Sequence, residues 1–141
     1  MKFVASTLLA TLAVAMTEKS HCEYSSGDLL MDFMIKSRGS TNMVMGLVEG
    51  MGAYEDITIE FVDNCTDLTV EDDIDVTTNA GGTANPRSIK QTVSFSAADT
   101  LSGSGDVGGV NIVDGSGSDV MCCMFSAVNT NDDIKRLLDQ N

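Results

Sequence analysis

The chain has 141 residues, with 21 acidic against 8 basic side chains, a formal net charge of −13 and no tryptophan. This length fits one compact domain. A surface this negative repels nucleic acid and anionic membranes, so nucleic acid is excluded as an expected partner.

Residues 1–15, MKFVASTLLATLAVA, have the pattern of a secretory signal. An apolar run follows Lys2, and small residues at Ala13 and Ala15 mark the expected cleavage site. A membrane anchor is the weaker alternative, because the run is shorter than the roughly 20 apolar residues that span a bilayer. We therefore predict a secreted, extracellular protein with a signal at 1–15, an N-terminal helical segment at 16–54 and a β-sandwich domain at 55–141.

The segment 16–54 is predicted to contain two helices. Ser25-Ser26-Gly27-Asp28 has the spacing of a capping box, and apolar residues recur at helical intervals over Leu29–Ile35. A second helix is predicted over 41–48. The apolar face of the first helix can either enter a membrane or pack on a sheet. The candidate membrane-inserting residues are Leu29, Leu30, Phe33 and Met34.

After residue 54 the apolar period changes from helical to alternating, which predicts β-strands. The predicted strands cover 57–62, 68–77, 89–95, 107–113 and 120–128, with a hairpin turn at 114–117 and a short helix at 132–141. The strand 120–128 is apolar on both faces, which is typical of a central strand. This pattern indicates a mainly β fold, an antiparallel β-sandwich with flanking short helices. The aromatic residues expected to face inward are Phe61, Phe95 and Phe125.

Four cysteines follow the predicted signal, at Cys22, Cys65, Cys122 and Cys123. An even number in an exported chain favours two disulfides. Because neighbouring residues of a strand point to opposite faces, Cys122 and Cys123 are expected to bond to Cys22 and Cys65, in either pairing, rather than to each other. No metal site is predicted, because His21 is the only imidazole and no C-x-x-C pair exists.

The acidic residues do not have the spacing of a known catalytic or metal site. Nine of them lie between residues 55 and 75 without a basic residue among them. They lack the D-x-D-x-D-G spacing of calcium loops, so a solvated acidic face is favoured over a calcium-dependent adhesive protein. We predict neither an enzyme nor a bound cofactor. Asn64-Cys65-Thr66 is a sequon, which makes Asn64 a candidate glycosylation site.

Two stretches resemble the actinoporin-like family of secreted pore-forming cytolysins. They are GLVEGMGAYEDITIEFVDNCT at 46–66 and SGSGDVGGVNIVDGSGSDVMCCMFSAVNTND at 102–132. The first resembles the end of a helix, the first core strand and a V-D-N turn of the family. The second resembles its glycine-rich strand, its hairpin and its M-F-S segment.

The resemblance implies a β-sandwich that binds membrane phospholipid, sphingomyelin above all, and forms homo-oligomers on membranes. Val107 and Ser126 match a valine and a serine of the family's headgroup site. Where the family has V-P-Y-D-Y-N, this chain has AVNTND at 127–132, and only two tyrosines remain in the whole sequence. The aromatic cage that a choline group requires is therefore missing. We expect lipid binding with weak or absent lysis; the alternative is a non-lytic secreted β-sandwich that serves as a binding or structural module.

Overall fold

The computed structural model of the protein describes residues 18–103 and 106–128. Nine strands and one short helix are found in these ranges. The predicted signal at 1–15 and the predicted helix at 132–141 lie outside them. The elements are β1 (Glu18–Ser26), β2 (Leu29–Arg38), β3 (Thr41–Glu49), β4 (Asp56–Val62), β5 (Val70–Thr77), β6 (Lys90–Thr92), α1 (Ala97–Leu101), β7 (Gly109–Val113), β8 (Asp119–Met124) and β9 (Ser126–Ala127).

The strands form two antiparallel sheets that pack against each other. The five-stranded sheet has the order β6-β3-β2-β1-β9 and the four-stranded sheet the order β5-β4-β7-β8. Their inward faces form one hydrophobic core, which removes a large apolar area from water. The prediction of a mainly β fold with an antiparallel sandwich is confirmed. The core residues that the strands contribute include Cys22, Met31, Phe33, Ile35, Val44, Val48, Ile57, Ile59, Phe61, Ile74, Val110, Ile112, Met121 and Cys123.

The two predicted N-terminal helices are wrong, because the described part of 16–54 folds as the antiparallel meander β1-β2-β3. Burial alternates along β2, with Met31, Phe33 and Ile35 buried and their neighbours partly exposed. Both faces of β2 carry apolar side chains, so its sequence satisfies the helical spacing as well as the alternating one. Pairing with strands on both sides then fixes the extended form.

The apparent capping box at 25–28 is a hairpin loop. Ser26 and Leu29 are paired across it, leaving Gly27 and Asp28 as a two-residue connection, and Gly27 has a φ of 61°. Glycine at the first of two loop positions suits the tight turns that match the twist of a hairpin. The β2–β3 connection is also a two-residue turn that begins with a glycine, Gly39, whose φ is 63°.

The predicted strands at 57–62, 68–77 and 107–113 are confirmed as β4, β5 and β7, with shorter bounds for the last two. The predicted strand at 89–95 is reduced to the three residues of β6. Ser96 then caps α1, where its hydroxyl accepts from the Asp99 amide at 3.1 Å. No periodic pattern predicts α1, because the helix is only five residues long.

The predicted strand 120–128 is divided between the two sheets, and its central position is wrong. Residues 119–124 form β8 at the edge of the four-stranded sheet, whereas Ser126–Ala127 form β9 beside β1 in the other sheet. Phe125 lies between them, and its amide donates to the Gly108 carbonyl at 2.9 Å. The apolar residues on the outward side of β8 therefore do not indicate a second buried face. Cys122 forms a disulfide on that side, and Met124 is exposed.

Both disulfides predicted for the four cysteines are present. Cys22 of β1 bonds to Cys123 of β8, with a Cα separation of 5.6 Å, and joins the two sheets through the core. Cys65, in the β4–β5 loop, bonds to Cys122 on the outward side of β8 at a Cα separation of 5.8 Å. The two bonds leave β8 in opposite directions, as alternation along a strand requires.

The predicted hairpin turn at 114–117 joins β7 to β8. The Asp114 carboxylate accepts from the Ser116 hydroxyl at 2.7 Å and from the Ser118 amide at 2.9 Å. These hydrogen bonds lower the pKa of Asp114 below its ordinary value of 3.8. The carboxylate therefore supports the turn above pH 3.8, and this support is lost as the pH falls through the lowered folded value.

A pair of neighbouring substitutions in β2 tests the strand and its phase. Phe33 is fully buried, so Phe33→Ala is expected to lower the free energy of unfolding by about 3–5 kcal/mol. Met34 faces outward, so Met34→Ala is expected to cost only about 1 kcal/mol or less. Denaturant unfolding of both variants measures the two losses. Equal losses would contradict the alternation.

Outer face of the five-stranded sheet as a candidate functional site

The residues of β1, β2 and β3 that point away from the core form a surface that we call the outer face. On a solvated sheet these positions are normally polar. Here Met34 of β2 is paired with Met45 of β3, and neighbouring outward positions are also apolar and partly exposed. A contiguous apolar surface of this kind is typical of an interaction site. The apolar side chains of the outer face are Leu30, Met34, Met43, Met45 and Leu47.

Basic side chains border this apolar surface. Lys36 is paired with Lys19 on one side and with Met43 on the other, while Lys90 of β6 is paired with Met45. Arg38 continues the outward row at the end of β2. Within residues 18–103 and 106–128, none of these basic side chains forms a salt bridge with a carboxylate. The outer face also carries three carboxylates, those of Glu23, Asp32 and Glu49.

The outward side of the four-stranded sheet has the opposite character, and β4, β5, β7 and β8 contain no basic residue. The carboxylates on this side accept hydrogen bonds from uncharged side chains. Thr58 donates to Asp75 at 3.0 Å, and the buried Asn111 amide donates to Glu60 at 3.0 Å and to Asp119 at 2.8 Å. The basic residues of the strands thus all lie in the five-stranded sheet, whose outer face also carries the carboxylates of Glu23, Asp32 and Glu49. The outward carboxylates of the four-stranded sheet are Asp56, Glu60, Asp73, Asp75 and Asp119.

One ion pair lies on the outer face, near the β9 side. The His21 Nε2 atom and the Asp32 Oδ1 atom are 2.6 Å apart, and Glu23 lies beside them. These three side chains could hold a metal ion, since one ligand atom of each lies within 4.8 Å of the others. The sequence predicts no metal site, because it contains one imidazole and no C-x-x-C pair. Asp32 is brought to His21 only by the pairing of β1 with β2.

The predicted membrane-inserting residues are divided by the strand. Leu30 and Met34 lie on the outer face, whereas Phe33 is in the core and Leu29 packs against it. The helix that was expected to present all of them on one side is absent from this segment. On β3, Met34 is paired with Met45, whereas Leu30 is paired with Glu49. The sequence does not predict these neighbours, because they depend on the register of β2 with β3.

Val107 and Ser126 lie in different surroundings. Val107 is buried and lines a cavity of about 370 Å³ together with Phe95 and four carboxylates. It also lines a second cavity of about 240 Å³ beside Phe125. Ser126 lines neither of these cavities; it is exposed on β9, and its hydroxyl donates to the His21 carbonyl at 3.3 Å. The headgroup role of these two residues stays a prediction. The four carboxylates that line the cavity of about 370 Å³ are those of Glu71, Asp72, Asp99 and Asp106.

The sequon lies in the β4–β5 loop. The Asn64 side-chain carbonyl accepts from the Thr66 amide at 2.8 Å and from the Asp67 amide at 2.6 Å, so it shapes the turn. Cys65, between them, is tied to Cys122. Glycosylation of Asn64 stays a prediction.

Comparisons with protein-family models, with curated proteins and with solved structures found no match for this chain. The apolar surface of the outer face and the basic side chains beside it are therefore the observation on which a function can be argued. In the part of the chain that the structure describes, no helix has both the length and the apolar character needed to cross a bilayer.

Hydrophobic interaction chromatography tests whether the outer face is an accessible apolar surface. Replacing Met34 and Met45 by glutamine keeps side-chain length while removing apolar area, so the double variant is expected to elute earlier than the unmodified protein. Met124→Gln is the comparison on the opposite sheet: it removes a single methionine, 47% exposed, and is expected to shift the elution less than the double variant does. An unchanged elution of the double variant, with a shift in the comparison variant, would place the accessible apolar surface elsewhere.

Proposed function

We propose that the protein is secreted and binds phospholipid membranes through the outer face of the five-stranded sheet, without forming pores. The observation that carries this proposal is the apolar surface bordered by basic side chains on one side of the sandwich. In the bound orientation, Lys19, Lys36 and Lys90 contact lipid phosphates, and the methionine and leucine side chains enter the boundary between headgroups and acyl chains. Each lysine near an anionic surface contributes about 1 kcal/mol.

In this orientation three carboxylates of the strands, Glu23, Asp32 and Glu49, are on the membrane side, and the carboxylates of the four-stranded sheet are on the far side. Two packed sheets are about 10 Å apart, and the outward carboxylates of the four-stranded sheet project farther still from the membrane. At physiological ionic strength the Debye length is about 8 Å, so the acidic side is largely screened from a lipid surface that contacts the outer face. The repulsion expected from the net charge is therefore weaker in this orientation than in the others, which favours this one.

The position of β2 supports binding without lysis. This strand lies between β1 and β3 and contributes Met31, Phe33 and Ile35 to the core. Extracting residues 29–38 for insertion would break both strand pairs and expose these side chains. The free energy lost in this way approaches the whole free energy of unfolding of a typical domain, about 5–15 kcal/mol. A membrane-bound form that keeps the sandwich intact is therefore favoured.

The two disulfides are compatible with an extracellular protein. Together with the signal pattern at 1–15, they support secretion, which is part of the proposal. The second candidate function is a non-lytic module that binds protein. The acidic side of the four-stranded sheet is complementary in charge to the outer face, so a second copy of the chain is the partner that this candidate favours.

Vesicle flotation tests the proposal. The protein is expected to float with phosphatidylcholine vesicles that contain phosphatidylserine, and less so as the salt concentration rises. Lys36→Gln is expected to weaken partitioning about fivefold, which corresponds to the loss of about 1 kcal/mol. Val70→Glu on the opposite sheet is the control, because it changes the net charge by the same one unit and is expected to leave partitioning unchanged.

Vesicles with sphingomyelin in place of phosphatidylserine distinguish headgroup recognition from charge, and an entrapped dye reports lysis. We expect retention of the dye in both preparations. Failure to float with every composition would contradict membrane binding. If sedimentation velocity then showed a concentration-dependent dimer that Lys36→Gln weakens, the second candidate would replace the first. Dye release comparable to that of a detergent control would contradict the intact sandwich.

A further inference from the structure

Three potential metal ligands converge at the β1–β2 pair of the outer face. His21 and Glu23 are two residues apart in β1 and so lie on the same side of the sheet. Asp32 of β2 is directly paired with Glu23 and diagonal to His21. One ligand atom from each side chain lies within 4.8 Å of the others. We propose that His21, Glu23 and Asp32 bind a divalent transition-metal ion, for which Zn²⁺ is the representative.

The geometry needs only small side-chain movements to enclose an ion. Zinc bonds of about 2.0–2.2 Å in a tetrahedral site separate the ligand atoms by about 3.3–3.5 Å. The His21 Nε2 and Asp32 Oδ1 atoms, now 2.6 Å apart, must open by less than about 1 Å, while the Glu23 carboxylate moves inward. All three side chains are at least partly exposed, so rotamer changes are available to them. The paired backbone holds their Cα positions.

The charges of the cluster also point to a cation. Glu23 and Asp32 are directly opposite each other, and like charges at such positions destabilise a sheet. Asp32 is paired with His21, but within residues 18–103 and 106–128 Glu23 has no hydrogen-bond or ion-pair partner. A divalent ion balances both carboxylates while the imidazole binds as a neutral ligand. With the ion bound, the proximity of the two carboxylates no longer destabilises the sheet.

The donor set selects the class of metal. One imidazole nitrogen with two carboxylate oxygens suits Zn²⁺ and its neighbours in the first transition series. Calcium and magnesium prefer oxygen ligands alone and in larger number. Three protein ligands leave a coordination position for water, and the exposure of the cluster makes that position accessible from solvent. The inference concerns metal binding and does not depend on the lipid affinity of the outer face.

The experiment is a Zn²⁺ titration of the tag-free, oxidised full chain. Calorimetry measures the affinity, and NMR of the imidazole reports where the ion binds. Because the sequence contains 1 histidine, the imidazole signals report on His21 without assignment. We expect one ion per chain to shift these signals. Ca²⁺ at the same concentration is expected to leave them in place.

Glu23→Gln is the decisive variant, because Glu23 has no partner whose loss could disturb the described fold. This variant and Asp32→Asn are each expected to weaken Zn²⁺ binding at least tenfold. Glu49→Gln removes the same charge from β3 on the same face and is expected to change the affinity less than twofold. The proposal is overturned if millimolar Zn²⁺ leaves the imidazole signals in place, or if Glu23→Gln binds like the unmodified protein. No vesicles are present, so either outcome is independent of membrane binding.

Discussion

The mutual burial of the two inward sheet faces is the constraint on which the rest of this molecule depends. Phe33 from one sheet and Phe61 from the other are fully buried, and the bond between Cys22 and Cys123 passes through the same layer. Gly46 lies opposite Phe33, where a Cβ atom would collide with the aromatic ring. Because burial fixes every second residue, the remaining positions are free to differ between the two outward surfaces.

Those two outward surfaces differ in how they compensate charge. On the four-stranded sheet, threonine hydroxyls and the Asn111 amide hold the carboxylates without introducing any positive charge. On the five-stranded sheet, lysines stand beside methionines and leucines, and a histidine meets two carboxylates at one end. All the basic residues of the strands therefore lie in one sheet, whereas the strands of the other sheet carry carboxylates and no basic residue.

The sequence predicted the features that depend on local alternation. The strands at β4 and β5, the hairpin turn at Asp114 and the opposed bonding of Cys122 and Cys123 all follow from a period of two. The prediction of helices at 29–35 and 41–48 is wrong because β2 and β3 are apolar on both faces and rich in methionine, a good helix former. The outer face and the proposed metal ligands could not be predicted, since both arise from the register between strands, which determines that Asp32 lies opposite Glu23.

The adjacent cysteines of β8 have a consequence for the edge of the four-stranded sheet. A slip of β8 by one residue would turn Cys123 outward and Cys122 inward, so neither could reach its partner. Edge strands offer unpaired backbone groups to other chains, and a strand that can slide or detach is a template for domain swapping and fibril growth. Bonds on both sides of β8 fasten this edge to the core and to the neighbouring loop at once. The two bonds therefore oppose the sliding or detachment of β8 that pairing with another chain at this edge would require.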